Sequence, residues 1–352
     1  AQHARLRELI PEIARIEVSY DSGRGPDEAF PRRKPAPGML LRAATEHRLP
    51  AGVDSNSPCH WRGDRFVIFM SAGHPFRSEG KSPYDLGEAQ PVTFDNTLNG
   101  GRWIECTVLA ADGTLYGWYH HEPAGLCPGT SLTAPKIGAI RSTDDGRTWQ
   151  DLGFVLTAPE GTLRCDAQNG YFAGGHGDFC VMLDPAQRYL YFFFGNYAGK
   201  PEEQGVAVAR MDWAHRDKPV GKVYKWFQGG WQEPGLGGRV TPIFPAMSDW
   251  MRADCDAFWG PSVHRNTHLK QYVMLLNRAK GTGWVQEGIY VSFSTRLDEP
   301  RSWSQPQKIL VGGRWYPQVI GDPAERGTDK LAGKTARLYL SGISEYEAVF
   351  DG

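Results

Sequence analysis

The 352-residue chain lacks the features that mark several protein classes. It has no surplus of either charge: 39 Lys and Arg stand against 40 Asp and Glu, without the clustered cations of a nucleic-acid footprint. No apolar run approaches the roughly 18–20 residues of a membrane span. Six cysteines in 352 residues are too few for a disulfide scaffold, and their spacing makes no zinc motif. Long helical patterns are also scarce. The clearest is a short amphipathic one over 4–16, with Leu6, Ile10, Ile13 and Ile16 on one face and Pro11 limiting it. No initiator Met is present, which leaves a removed leader and a trimmed chain both open; the reading leans extracytoplasmic.

What is abundant is turn-forming and aromatic. Gly (42) and Pro (25) make up about 19% of the chain, against a usual combined level of roughly 12%. Aromatics reach 12%, with 12 Trp and 14 Tyr. Many turns and many aromatics with few helices indicate an all-β protein. Cys59, Cys106 and Cys180 sit in apolar, strand-like runs and read as small core residues. Cys127 and Cys165 lie in polar loops, where a bridge between them is one of two open readings.

A strand–turn–strand unit recurs. NSPCHWRGDRFVIFMS (56–71), WIECTVLAADGTLYGWYHHEP (103–123), GDFCVMLDPAQRYLYFFFGNY (177–197) and WGPSVHRNTHLKQYVMLLNRA (259–279) each place an aromatic or apolar strand after a polar turn. A fifth unit begins WYPQVIG (315–321) and resumes at TARLYLSG (335–342). The spacing leaves room for about four strands per unit, the signature of a β-propeller. The expected fold is therefore a five-bladed β-propeller over 51–352, opening near residues 54, 103, 177, 257 and 315, with 1–50 as an N-terminal extension carrying the short helix. A β-sandwich of hairpins is the alternative. Segments 137–156 and 288–310 read as outer hairpins, and FQGGWQEPGLGGR (227–239) as a Gly-rich loop without strand pattern, either over the funnel or on the surface.

Ser142, Asp144, Gly146, Thr148 and Trp149 fit S-x-D-x-G-x-T-W, which resembles the Asp-box of sialidases and other propellers. That motif is a rim turn, so Asp144 and Asp145 are expected to be scaffold. No convincing arginine triad favours a sialidase. The strand openings resemble the five-bladed glycosidases of glycoside hydrolase family 43 and, more distantly, family 117. The resemblance covers roughly 50–345. It implies funnel carboxylates acting as general base, orienting acid and general acid. Asp178-Phe179-Cys180-Val181 matches the third-blade phrase; Ser57 and Trp259 stand where that family carries Asp and Glu. A Ca²⁺ on the axis, as in some such glycosidases, is an optional companion, and no cofactor is required.

Glycoside hydrolysis needs one protonated and one ionised carboxyl with split pKa values. The candidate catalytic residues are Asp178, Glu105, Asp54, Asp256 and His264. Asp254, just before Trp259, is a further acid near that opening. Candidate substrate-binding residues are His176, His120, Asn56, Trp259, Arg265 and Trp103. His176 and Asp178, two apart on an extended strand, are expected to share a face; His120 and His121 are expected to face opposite ways. Trp259 and Trp103 could offer flat faces to sugar C–H groups. Two other functions compete: a polysaccharide lyase using Tyr119, His120, His176 and Arg265, and a non-catalytic carbohydrate-binding propeller. In each case the partner is carbohydrate, with no nucleic acid and no membrane, and oligomeric state is open.

Overall fold

The computed structural model describes residues 38–351. The helix expected over 4–16 lies outside the described residues. Five sheets, antiparallel but for two short parallel edge pairings, follow one another along the chain as five blades. The innermost strands are Cys59–Arg62, Gly100–Leu109, His176–Leu183, Asp256–Asn266 and Pro317–Gly321. These starts lie close to the five expected openings. Helical structure among the described residues is confined to four single-turn 3-10 segments, and none is long and apolar enough to cross a membrane.

Each blade is sandwiched between two others, so its middle strands are buried on both faces. That is why they read as continuous apolar runs rather than alternating ones. In Tyr189–Asn196 every residue after Tyr189 is buried. Phe192, Phe193 and Phe194 fill the space toward the neighbouring blades together with Trp118, Val181, Val208 and Met274. The segment 137–156 supplies the two outer strands Lys136–Ser142 and Thr148–Leu156 of the second blade. The Asp144 carboxylate accepts from the Arg147 and Thr148 N–H groups at 3.0–3.2 Å, while Trp149 is buried beneath. Asp145, by contrast, joins two blades: it pairs with His60, Arg62 and Arg77 of the first.

Two segments depart from expectation. The Gly-rich stretch 227–239 carries Gly230–Pro234, which pairs with Val223–Phe227 as a fifth, outermost strand of the third blade. Its glycines had hidden the strand pattern. Gly38–Arg48, placed in the extension, is instead the outermost strand of the fifth blade, with Gly38 opposite Asp351. The final strand Ile343–Asp351 is thus held between it and Thr335–Leu340. Its alternating burial, MLLRA with Met39 and Leu41 inward, is that of an edge strand with one covered face.

Candidate active site

Three of the inner strands are irregular at one level. In the second blade Ile104 pairs with Tyr119 and Cys106 with Trp118, leaving Glu105 unpaired. In the third, Gly177 pairs with Gly195 and Phe179 with Phe194, leaving Asp178 unpaired. In the fourth, Gly260 and Pro261 stand opposite Leu276 alone. These are β-bulges, which insert one residue and re-aim the local side chain. Asp178 has a φ of 43° and Gly260 one of 57°; Asp is among the few residues that accept this left-handed conformation. The bulges are strapped together. Asn56 donates to the carbonyls of Phe179 (2.8 Å) and Pro261 (3.0 Å), and Glu105 Oε2 accepts from the Phe179 N–H at 2.8 Å.

Glu105 is fully buried, and its Oε1 lies 3.0 Å from His120 Nδ1. His120 Nε2 lies 3.1 Å from Glu122 Oε1. Burial alone would depress the His120 pKa, but the two carboxylates outweigh it and hold the imidazole well above its ordinary value. When protonated, His120 donates from both nitrogens to these carboxylates; the Asp178 N–H also points at Nδ1, at 3.3 Å. Asp178 is 4% exposed and accepts a 2.6 Å hydrogen bond from the Tyr197 hydroxyl. Burial, opposed by the His120 charge and reinforced by Glu105, pushes its carboxyl up to about 7. Tyr197 is fixed in turn by stacking on Phe172, 4.2 Å between ring centres, and edge-on against Trp250.

Asp54 is exposed to solvent, with Oδ2 3.3 Å from the Trp103 indole nitrogen. Partial burial raises its pKa, the Trp103 hydrogen bond opposes this, and the Glu122 charge adds to it. Trp103 lies over His120 with ring centres 5.3 Å apart. The loop behind Asp178 is braced by a disulfide between Cys127 and Cys165, and by Thr133, whose N–H donates to the Tyr171 carbonyl and whose own carbonyl accepts from the Ala173 N–H. The bridge left open by the sequence is formed.

The structure thus gathers Asp54, Trp103, Glu105, His120 and Asp178. The other candidates lie elsewhere. His176 is buried against Phe194, its Nδ1 3.1 Å from its neighbour's carbonyl. The bulge at Asp178 breaks the strand alternation that would have put the two on one face. Asp256 is ion-paired with Arg278 at 2.9 Å, and Asp254 with Arg252 at 2.7 Å. His264 is buried against Phe350 with its pKa driven down to about 3 by burial and Lys330. Trp259 is buried among Trp284, Trp315 and Tyr316 and offers no open face. Arg265 covers Tyr272. Asn56 serves as the strap between bulges. His121 faces away, against Gly101 and Phe154.

Sequence reading missed Glu122 and Tyr197. A signal for the first existed, since His120 and Glu122 are two apart on one strand and so share a face. Glu105, His120 and Asp178 each offer a ligand atom within 4.8 Å of the others. The set suits Ca²⁺ poorly. That ion takes roughly six to eight oxygen ligands, whereas here one donor is a nitrogen and both His120 nitrogens are engaged by carboxylates.

Sheet order and closure define a five-bladed β-propeller. An endo-arabinase from Bacteroides thetaiotaomicron matches with a TM-score of 0.53 at 9% identity, covering 85% of this chain and 93% of that one. An exo-β-1,3-galactanase from Phanerochaete chrysosporium matches with a TM-score of 0.49 at 10% identity, covering 87% of this chain. This chain spans 63% of the galactanase chain. A thermostable family-43 glycoside hydrolase matches at 0.49 and 11% identity, covering 87% and 92%. The arabinase likeness shows the fold. No protein-family model and no curated protein matches the sequence.

Proposed function

We propose that the protein is a glycoside hydrolase acting on a polysaccharide or oligosaccharide through its funnel carboxylates. The observation that carries this reading is the pairing of unlike acids on adjacent bulges: Asp178, with its pKa raised to about 7, beside Glu105, which is engaged by the His120 imidazole and a backbone N–H. A carboxyl kept protonated near neutrality can give its proton to a leaving glycosidic oxygen. Asp178 is the general acid in this scheme. Asp54, at the open mouth, is the carboxylate that activates water. Glu105 and His120 position Asp178 and set its charge environment. Trp103 offers a half-open indole face for a sugar ring.

The lyase reading is less well supported. It needs a cation to neutralise a uronate carboxylate, and Arg265, its candidate, is spent on Tyr272. The arabinase and galactanase likenesses set the first substrates to try. Incubation with an arabinan, a β-1,3-galactan and a wider panel of neutral and uronate glycans is expected to release reducing ends that Asp178→Asn abolishes. Ultraviolet absorbance of an unsaturated uronate would establish a lyase instead. Retained glycan binding without any product would establish a binding propeller.

A further inference from the structure

Just beyond the bulges, the inner strands of the first three blades each carry a cysteine: Cys59, Cys106 and Cys180. They are buried and free, and the proposed hydrolysis does not use them. Lys330 reaches into this level. Its Nζ lies 3.2 Å from both Cys106 Sγ and Cys180 Sγ and 3.0 Å from Asp329 Oδ2. Backbone donors point at the same sulfurs: Val181 N–H at 2.8 Å from Cys106 Sγ and Val263 N–H at 3.3 Å from Cys180 Sγ. Cys59 is differently occupied, with its sulfur 3.4 Å from Asp329 Oδ1.

We infer that Cys106, Cys180 and Lys330 form a peroxide-sensitive dithiol site, in which oxidation closes a reversible Cys106–Cys180 disulfide between the second and third blades. An ammonium and backbone N–H groups around a sulfur favour the thiolate, the reactive form. The two thiols are unequal in the direction this requires. Although burial opposes it, Cys180 is brought down to about 7 by Cys106, Lys330 and a backbone donor, whereas Cys106 is raised by burial and by Cys180. Both sulfurs are fully buried while the Lys330 side chain is 21% exposed, so peroxide has to reach them along the lysine.

The chemistry closes in two steps. The Cys180 thiolate attacks one peroxide oxygen and the O–O bond breaks. The departing hydroxide takes a proton from the Lys330 ammonium, leaving Cys180 sulfenic acid and water. Cys106 sulfur then attacks the Cys180 sulfur, the S–O bond breaks, and the hydroxide leaves as a second water with the Cys106 thiol proton. The two thiols have together given two electrons to the peroxide, and the Lys330 amine regains its proton from solvent. A sulfenic acid beside a second thiol condenses to a disulfide in this way.

The test uses the full chain, pre-reduced, treated with graded hydrogen peroxide, alkylated and mapped by mass spectrometry without reduction. Besides the Cys127–Cys165 pair, the expected product is one further peptide pair, dependent on peroxide, joined through Cys106 and Cys180 and restored by dithiothreitol, with Cys59 and Cys255 still alkylated. The proposal is overturned if Cys180 advances to the sulfinic acid while Cys106 stays alkylatable, or if Cys180 is joined to Lys330 instead. It is also overturned if both thiols survive peroxide that oxidises Met247, which is 48% exposed. Cys106→Ser should trap the intermediate as a Cys180 sulfenic acid captured by dimedone; no capture in a folded variant would overturn the mechanism. Lys330→Met should slow disulfide formation about tenfold through the smaller thiolate fraction.

Discussion

Two levels of the same strands, one residue apart in the second blade and two in the third, have opposite characters. At the upper level Glu105 and Asp178 sit on bulges, project carboxyls toward each other's neighbourhood, and are held by His120, Tyr197 and Asn56. At the lower level regular pairing has resumed, with Cys106 opposite Trp118 and Cys180 opposite Phe193, and small thiols close on one buried cation. The bulge is what separates them. It costs a pairing position but frees a side chain to face the axis, so strain and polarity collect where chemistry is proposed. Below it the strands spend the same positions on packing. Substitutions at the upper level should therefore change turnover more than stability, and those at the lower level the reverse.

The largest expected effect is at Asp178. Asp178→Asn keeps the shape and the Tyr197 contact while removing the proton donor. The loss in kcat on whichever glycan proves active is expected to be about 10²–10⁴, with a melting temperature near wild type. Glu105→Gln should cost less, and the double variant should lose less than the product of the two. An Asp178→Asn protein with full activity would erase the distinction between the levels.

At the lower level, Lys330→Met leaves the Asp329 carboxylate and the Cys180 thiolate without their cation. The expected cost is about 2–3 kcal/mol by denaturant unfolding, short of the full price of a broken buried pair because Lys330 is partly exposed. Turnover of the surviving folded protein should stay close to wild type. If turnover collapses while stability holds, the two levels are one functional unit.

The pH dependence sharpens the same contrast. Asp178 holds its proton more tightly folded than unfolded, its carboxyl sitting at about 7. The part of the stability that Asp178 contributes should therefore be lost as pH rises from about 4, the ordinary carboxyl value, through that range, and the difference in stability between wild type and Asp178→Asn should shift accordingly. Activity should drop along the same alkaline limb as the acid form is lost. His120 works in the same sense: its raised pKa gives stability that is complete below the ordinary imidazole value and is lost as pH climbs through its folded one.

The smallest effect is expected at the rim. Asp144→Ala removes the acceptor for the Arg147 and Thr148 N–H groups. Because those residues are exposed, water can replace part of what is lost, and the cost should be about 1 kcal/mol, with turnover unchanged.

The sequence made the blades legible because each inner hairpin repeats a polar turn followed by an aromatic strand buried on both faces. It made Asp178 and Glu105 legible as acids at strand openings. What it did not disclose was register. A bulge adds one residue without changing composition, so the alternation that places His176 beside Asp178 fails where the extra residue enters. Trp259 and His264 misled for a related reason: near the axis a strand position faces either the funnel or the adjacent blade, and only neighbouring blades decide which. Gly38–Arg48 was missed because its partner lies some three hundred residues away, beyond any local pattern.

That distant pairing has a consequence in time. Gly38–Arg48 must wait for Ile343–Asp351 to be synthesised before the ring can seal, because the later strand inserts between it and Thr335–Leu340. Until then four blades can pack behind a growing chain while both lips of the fifth remain unpaired, and open lips invite other strands. The slow step of folding is thus expected to be the docking of one nine-residue strand, a closure over a loop of some three hundred residues. A polypeptide stalled before residue 343 would carry every group of the proposed active site and still lack the clasp that holds the fifth blade against the first.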